Sequence, residues 1–120
     1  MSQPTTVRFP QGALDSYALR VNVTSYDTTI DLTDATAATF DVRYSDGSTT
    51  SWDATISDAT TSTCMLTHTF VDGDIPDVET VIATGRIEGF GSYALVCTPV
   101  NIEVYDIYTG VSKPLPRQGI

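Results

Sequence analysis

His68 is the only histidine in the chain, so it is the first residue to test for chemistry. Imidazole is a common metal ligand and acid–base group near neutral pH. His68 has no second histidine and no cysteine at ligand spacing, and it shares an alternating face with Leu66 and Phe70. A catalytic serine would have to recruit this one histidine, and no Gly-x-Ser-x-Gly elbow occurs. We therefore expect no catalytic residues and predict that the protein is not an enzyme.

The acidic segment Asp72-Gly73-Asp74, followed by Asp77, is the best candidate for a metal site. Clustered carboxylates can bind Ca²⁺, but the oxygen donors and the terminal Glu of an EF-hand loop are missing after Asp77. Aspartates of this kind more commonly form turns. We predict no metal site and no cofactor.

The two cysteines, Cys64 and Cys97, could pair across a β-sandwich. The first six residues lack the basic and apolar regions of a secretory signal, so we expect synthesis and folding in a cytoplasm. In that compartment disulfides are rare. Two reduced thiols that pack as small apolar side chains are the expected state.

Length and charge restrict the class of protein further. At 120 residues the chain fits one domain, and no apolar run approaches the roughly 18–20 residues of a membrane span. It has 15 acidic and 6 basic side chains and a formal net charge of −9. Nucleic-acid affinity depends largely on clustered Lys and Arg. We therefore expect neither nucleic acid nor a membrane as a partner.

Alternation of apolar and polar residues with a period of two predicts strands along most of the chain. Residues 17–24 and 38–44 show it most clearly, and Asp46-Gly47 after the second run is a strong hairpin signal. Residues 71–77 read as a loop, residues 78–88 as an extended stretch broken by Gly85, and one helical turn is possible near Thr33 or Asp72. The remaining predicted strands are residues 50–57, 62–70, 93–97 and 102–107.

This spacing of seven or eight short strands predicts an all-β domain, an immunoglobulin-like sandwich of antiparallel strands, over residues 13–109. Each strand should turn one set of side chains inward. We expect the buried centre to consist of Phe40, Val42, Trp52, Ile56, Leu66 and Val104.

The two ends differ from the middle. Residues 1–12 and 110–120 hold four of the six prolines and little alternation, so we predict extended arms outside the core. The arms also combine apolar side chains with half of the basic residues. We expect them to bind neighbouring proteins through Arg8, Phe9, Lys113, Leu115, Arg117 and Ile120.

The segment Ile30-Asp31-Leu32-Thr33-Asp34-Ala35-Thr36, a strand ending at Ser45-Asp46-Gly47, and the following Trp52-Asp53-Ala54-Thr55-Ile56 occur in a familiar order. Over about residues 11–106 the chain resembles the immunoglobulin-like N-terminal domain of phage baseplate upper proteins and related minor tail proteins. Within the motif, Asp31 or Thr33 can accept hydrogen bonds from the following amides, which places Leu32 at the end of the core.

The resemblance implies a bacteriophage virion structural protein, built into the tail, baseplate or neck through contacts with other virion proteins and with copies of itself. A capsid decoration protein is an alternative in the same class. The alternative from another class is a carbohydrate- or receptor-binding module whose ligand would be a host-surface glycan, since exposed aromatic rings stack on sugars. Its candidate aromatic residues are Tyr26, Trp52, Tyr93, Tyr105 and Tyr108.

Overall fold

The computed structural model describes residues 5–11, 14–71 and 73–106, and nearly all of its regular structure is β-strand. Two single 3-10 turns, Leu14–Ser16 and Leu32–Asp34, connect strands. The prediction of an all-β fold is confirmed. In chain order the strands are β1 (Thr5–Pro10), β2 (Ala18–Thr24), β3 (Ala37–Arg43), β4 (Thr49–Ser57), β5 (Thr63–Thr69), β6 (Thr80–Phe90), β7 (Tyr93–Val96) and β8 (Val100–Tyr105).

The eight strands form one curled sheet, a half-barrel, in the order β1-β8-β6-β3-β4-β5-β2, with β7 also paired to β6. The predicted sandwich is not confirmed, because β4 pairs with β3 through Thr49–Ala54 and with β5 through Thr55–Ser57. Hydrogen bonding is therefore continuous from one end of the sheet to the other. The prediction that all strands are antiparallel is wrong for one pair, since β1 runs parallel to β8.

Residues 5–10, predicted as part of an arm, are extended but belong to the sheet as β1. Val7 and Phe9 pack against the core, although this segment was expected to lie outside it. Pro10 is tolerated because it ends a strand that pairs along one edge with β8 and with no second described strand.

The core lies on the concave side of the curled sheet. Five of the six residues predicted to form its centre are buried: Phe40, Val42, Trp52, Leu66 and Val104. The sixth, Ile56, is half-buried and packs against the same cluster. The alternation therefore predicted the inward faces of these strands correctly.

Gly85 does not interrupt β6, contrary to prediction; the strand is continuous from Thr80 to Phe90. A β-carbon at residue 85 would lie 3.0 Å from Leu66 Cδ1 and 3.2 Å from Cys97 Sγ. Glycine lets these two side chains pack closely on its backbone, and any larger residue would require them to shift.

Two predicted turns are confirmed. At the Asp46-Gly47 hairpin, the Tyr44 amide donates to the Ser48 carbonyl oxygen over 2.9 Å, and Gly47 has a φ of 90°. At the 3-10 turn Leu32–Asp34, Asp31 Oδ1 accepts from the Thr33 amide over 3.0 Å and from its hydroxyl over 2.6 Å. This places Leu32 in the core, with none of its surface exposed. Asp72, the other predicted position for such a turn, lies outside the described residues.

Candidate interaction surfaces

Arg8 and Phe9, two of the residues expected to bind other proteins, both contact their own domain. Arg8 Nε lies 3.0 Å from Glu103 Oε2, and the guanidinium carbon lies 4.7 Å from the centre of the Tyr105 ring. The Phe9 ring packs edge-on against Phe70 at 5.1 Å between centroids. The other four residues of that set, Lys113, Leu115, Arg117 and Ile120, lie outside the described part of the chain.

Besides β1, two strands have an edge with no partner among the described strands. β2 pairs with β5 on one side only, and β7 pairs with β6 on one side only. An edge of this kind presents unpaired backbone N–H and C=O groups, which can bind an added strand. Both edges border the same groove.

This groove, which we call the seam, is a cavity of about 320 Å³ between β2 and the chain that leads from β7 into β8. Its walls are Val21, Val23 and Tyr26 on one side and residues 95–100 on the other. None of the side chains that line it carries a charge at neutral pH; even the Cys97 thiol stays protonated, because burial raises its pKa to about 11. In a chain of net charge −9, the seam is an uncharged surface.

Exposed apolar side chains mark the same region. Tyr26 is 91% exposed and Val96 is 58% exposed, and both line the seam. Tyr93, on the same edge strand as Val96, is 68% exposed. Sequence reasoning missed Val96, because the run Tyr93-Ala94-Leu95-Val96-Cys97 is apolar at nearly every position and does not show which face is covered.

His68 lies near the end of β5, beside the loop that leads to β6, and its ring is held on three sides. Its ring stacks on Trp52 with 4.8 Å between centroids, Nδ1 lies 2.8 Å from the Asp53 carbonyl oxygen, and Nε2 lies 2.8 Å from Asp74 Oδ2. A carbonyl and a carboxylate are both acceptors, so only the doubly protonated ring donates to both. Asp74 Oδ2 also accepts from the Val71 amide over 2.9 Å, which fixes the loop.

A second set of polar contacts closes the loop from the other side. The Tyr44 hydroxyl donates to the Asp74 carbonyl oxygen over 2.7 Å, and burial raises the pKa of this tyrosine. Glu79 is only 4% exposed, and its Oε1 accepts from the Ser45 amide over 3.0 Å and from the Ser45 hydroxyl over 2.9 Å. We call His68, Asp74, Tyr44, Ser45 and Glu79 the loop cluster.

The residues considered for metal binding do not form a metal site in the described part of the chain. Asp72 lies outside the described residues, and Asp74 is engaged by His68 and by a backbone amide. Within the described ranges, no group of three or more His, Cys, Asp or Glu side chains could hold a metal ion. Cys64 and Cys97 are both free thiols, and burial raises the pKa of each.

The five aromatic residues considered for sugar stacking occupy different environments. Trp52 is 5% exposed and its ring faces His68, while Tyr105 is half-buried beneath Arg8. Tyr26 and Tyr93 are exposed, but only Tyr26 lines the seam. Tyr108 lies outside the described residues. The described aromatic rings thus do not line a single cavity.

No family model, curated protein or solved structure matches this chain. Within the described residues, no helix is long and apolar enough to cross a membrane.

Proposed function

We propose that this chain is a structural module of a bacteriophage virion, built into the tail, baseplate or neck through contacts with other virion proteins and with copies of itself. The observation that carries the proposal is the seam. Two strand edges without a partner among the described strands border one uncharged groove, lined by both aliphatic and hydroxyl side chains, on a domain whose polar loop cluster is satisfied internally. Such edges bind other polypeptides by strand addition, and the side chains of the groove between them supply specificity.

The resemblance of residues 11–106 to the N-terminal domain of phage baseplate upper proteins supports the same function. We propose with it that the curled sheet is an immunoglobulin-like sandwich. In such domains three strands, C, F and G, form one sheet, and B and E pair in the other. The order β8-β6-β3 and the β2–β5 pair at the other end of the sheet agree with that arrangement, with β4 joining the two groups.

The charge of the chain favours protein partners over nucleic acid. Of the four basic residues in the described part, Arg8 and Arg86 form ion pairs with Glu103 and Asp41. With 15 acidic side chains in the sequence, little cationic surface remains for phosphate groups. The partners we propose are therefore proteins.

The test is to purify tailed phage particles from cells that produce this chain and to search them by mass spectrometry. We expect the chain to remain with particles through density-gradient and high-salt washes. Antibody labelling in electron micrographs should then place it at the tail, baseplate or neck. Labelling spread over the head would instead support a capsid decoration protein. Recovery only from the particle-free fraction would contradict the proposal.

A further inference from the structure

We propose that the seam is a docking site for residues 107–112 of a second copy of this chain, which add as a strand along the open edge of β2. This inference rests on the proposed function and names the surface through which copies would join. Its first support is the edge itself: β2 is seven residues long and pairs only with β5 among the described strands. An incoming strand would satisfy its outward N–H and C=O groups.

The second support is the match between the groove and the sequence of residues 107–112. That sequence, Ile-Tyr-Thr-Gly-Val-Ser, contains no proline and is rich in residues that favour strands. Its odd-numbered positions are Ile107, Thr109 and Val111, which would share one face of a strand. A face of two aliphatic residues and a threonine methyl group fits the uncharged walls formed by Val21, Val23 and Val96.

The third support is charge. All 15 acidic side chains of the chain lie at or before residue 106, whereas residues 107–120 contain Lys113 and Arg117 and no acidic residue. A smaller cavity shares Asn22–Thr24 with the seam, and Asp58 lines it. A strand docked with Ser112 beside Thr24 would bring Lys113 toward Asp58, and this attraction favours association at low ionic strength.

The geometry favours a second copy over the same chain. The seam lies at the Val100 end of β8, whereas residue 107 follows the Tyr105 end. At about 3.3 Å per residue, the Val100 and Tyr105 ends of β8 lie about 17 Å apart, at opposite ends of the strand. A segment that leaves at one end and docks at the other makes a head-to-tail contact. Repetition of that contact closes a ring or extends a filament.

The test uses the full chain and analytical ultracentrifugation from about 1 μM to about 1 mM. We expect association that weakens as salt is added. Val96→Arg buries a charge in the seam and should raise the dissociation constant at least about tenfold. Val71→Arg is the matched control, because Val71 is 59% exposed and does not line the seam.

A second pair of variants tests the incoming segment. Thr109→Pro removes a backbone donor within residues 107–112 and should also weaken association at least about tenfold, whereas Gln118→Pro should not. Hydrogen exchange should show β2 amides becoming protected as the concentration rises, while β3 amides stay unchanged. The signals of Trp52 fluorescence and circular dichroism verify that each variant is folded.

Several results would overturn the inference. A chain that stays monomeric to about 1 mM, or one that associates equally well with Val96→Arg and Val71→Arg, removes the seam as the contact. Protection of β2 at every concentration would mean that the chain's own residues occupy the groove. Virion incorporation is scored separately: particles that retain the Val96→Arg chain would support the proposed function without this docking site. If the chain associates through the seam but is absent from particles, the proposed function is contradicted and the docking site is supported.

Discussion

The loop cluster and the seam lie on the same sheet and differ in how completely their groups are satisfied. In the loop cluster, Glu79 and Asp74 accept from backbone amides, and His68 is held between Trp52, Asp53 and Asp74. In the seam, Tyr26 and Val96 remain exposed and two strand edges lack described partners. The difference separates polar contacts that stabilise the fold from a surface that the described residues leave open.

The largest effect should come from Trp52→Ala. Trp52 is buried, stacks on His68 and contacts the Phe70 ring edge-on at 5.5 Å. Its removal leaves a cavity, so the free energy of unfolding should fall by about 3–5 kcal/mol in urea denaturation. Tyr26→Ala is the control from the seam, and it should change stability by less than about 0.5 kcal/mol. Similar losses for both variants would mean that the seam contributes as much to folding as the core does.

The next effect concerns the reactivity of Cys97 in the wall of the seam. Burial raises the pKa of its thiol from 9.0 to about 11, and nearby Cys64 adds to the shift. At pH 8 the thiolate population is then about a hundredfold lower than that of an ordinary cysteine. In the Cys64→Ala variant, where burial alone raises the pKa, we still expect modification by a disulfide reagent to be much slower than that of an ordinary cysteine. Modification at the rate of a small free thiol would show that the seam wall is open to solvent.

A smaller effect is expected for Glu79→Gln in the loop cluster. The amide oxygen can still accept, but the charge that strengthens both bonds from Ser45 is lost. Hydrogen bonds to charged groups contribute more than neutral ones, so stability should fall by about 1–3 kcal/mol. Asp77→Asn, at an exposed position of the same loop, is the control. A Glu79→Gln variant as stable as the original chain would show that its hydrogen bonds do not hold the loop.

The smallest effect is expected at the turn that contains Leu32. The hydroxyl and then the amide of Thr33 lower the pKa of Asp31 below its ordinary value of 3.8. The pKa of Asp31 is lower in the folded than in the unfolded state, so the hydrogen bonds from Thr33 stabilise the fold at pH values above the ordinary pKa. This contribution to stability is lost as the pH falls through the folded-state pKa. Thr33→Ala should raise the pKa of Asp31 in an NMR titration of its carboxyl carbon, and Thr29→Ala should leave it unchanged.

The sequence predicted the strand faces and turns that are determined by neighbouring residues. Alternation identified the inward faces of β3, β4 and β5, and Asp46-Gly47 identified the hairpin between β3 and β4. Both signals are local, because the side-chain period and the turn geometry depend on neighbouring residues. The turn at Asp31 followed from the same kind of reasoning.

Features that depend on distant contacts were not predictable in this way. The pairing of β1 with β8 joins residues about ninety-five positions apart, and Gly85 continues β6 by pairing with Phe40 on β3, forty-five positions earlier in the chain. The seam belongs to this class as well. Its walls come from β2 and from residues 95–100, and the sequence of neither segment predicts that the two face each other.

The parallel pairing of β1 with β8 has a mechanical consequence. The chain enters β1 at Thr5, opposite Val100, and leaves β8 at Tyr105, opposite Pro10. A force that pulls these two ends apart slides one strand along the other and loads all the hydrogen bonds between them at once. An antiparallel pair pulled from one end would lose its bonds one after another. Because the rate of unfolding governs forced unfolding, this geometry should make the domain resist tension along its strands better than its equilibrium stability alone would suggest.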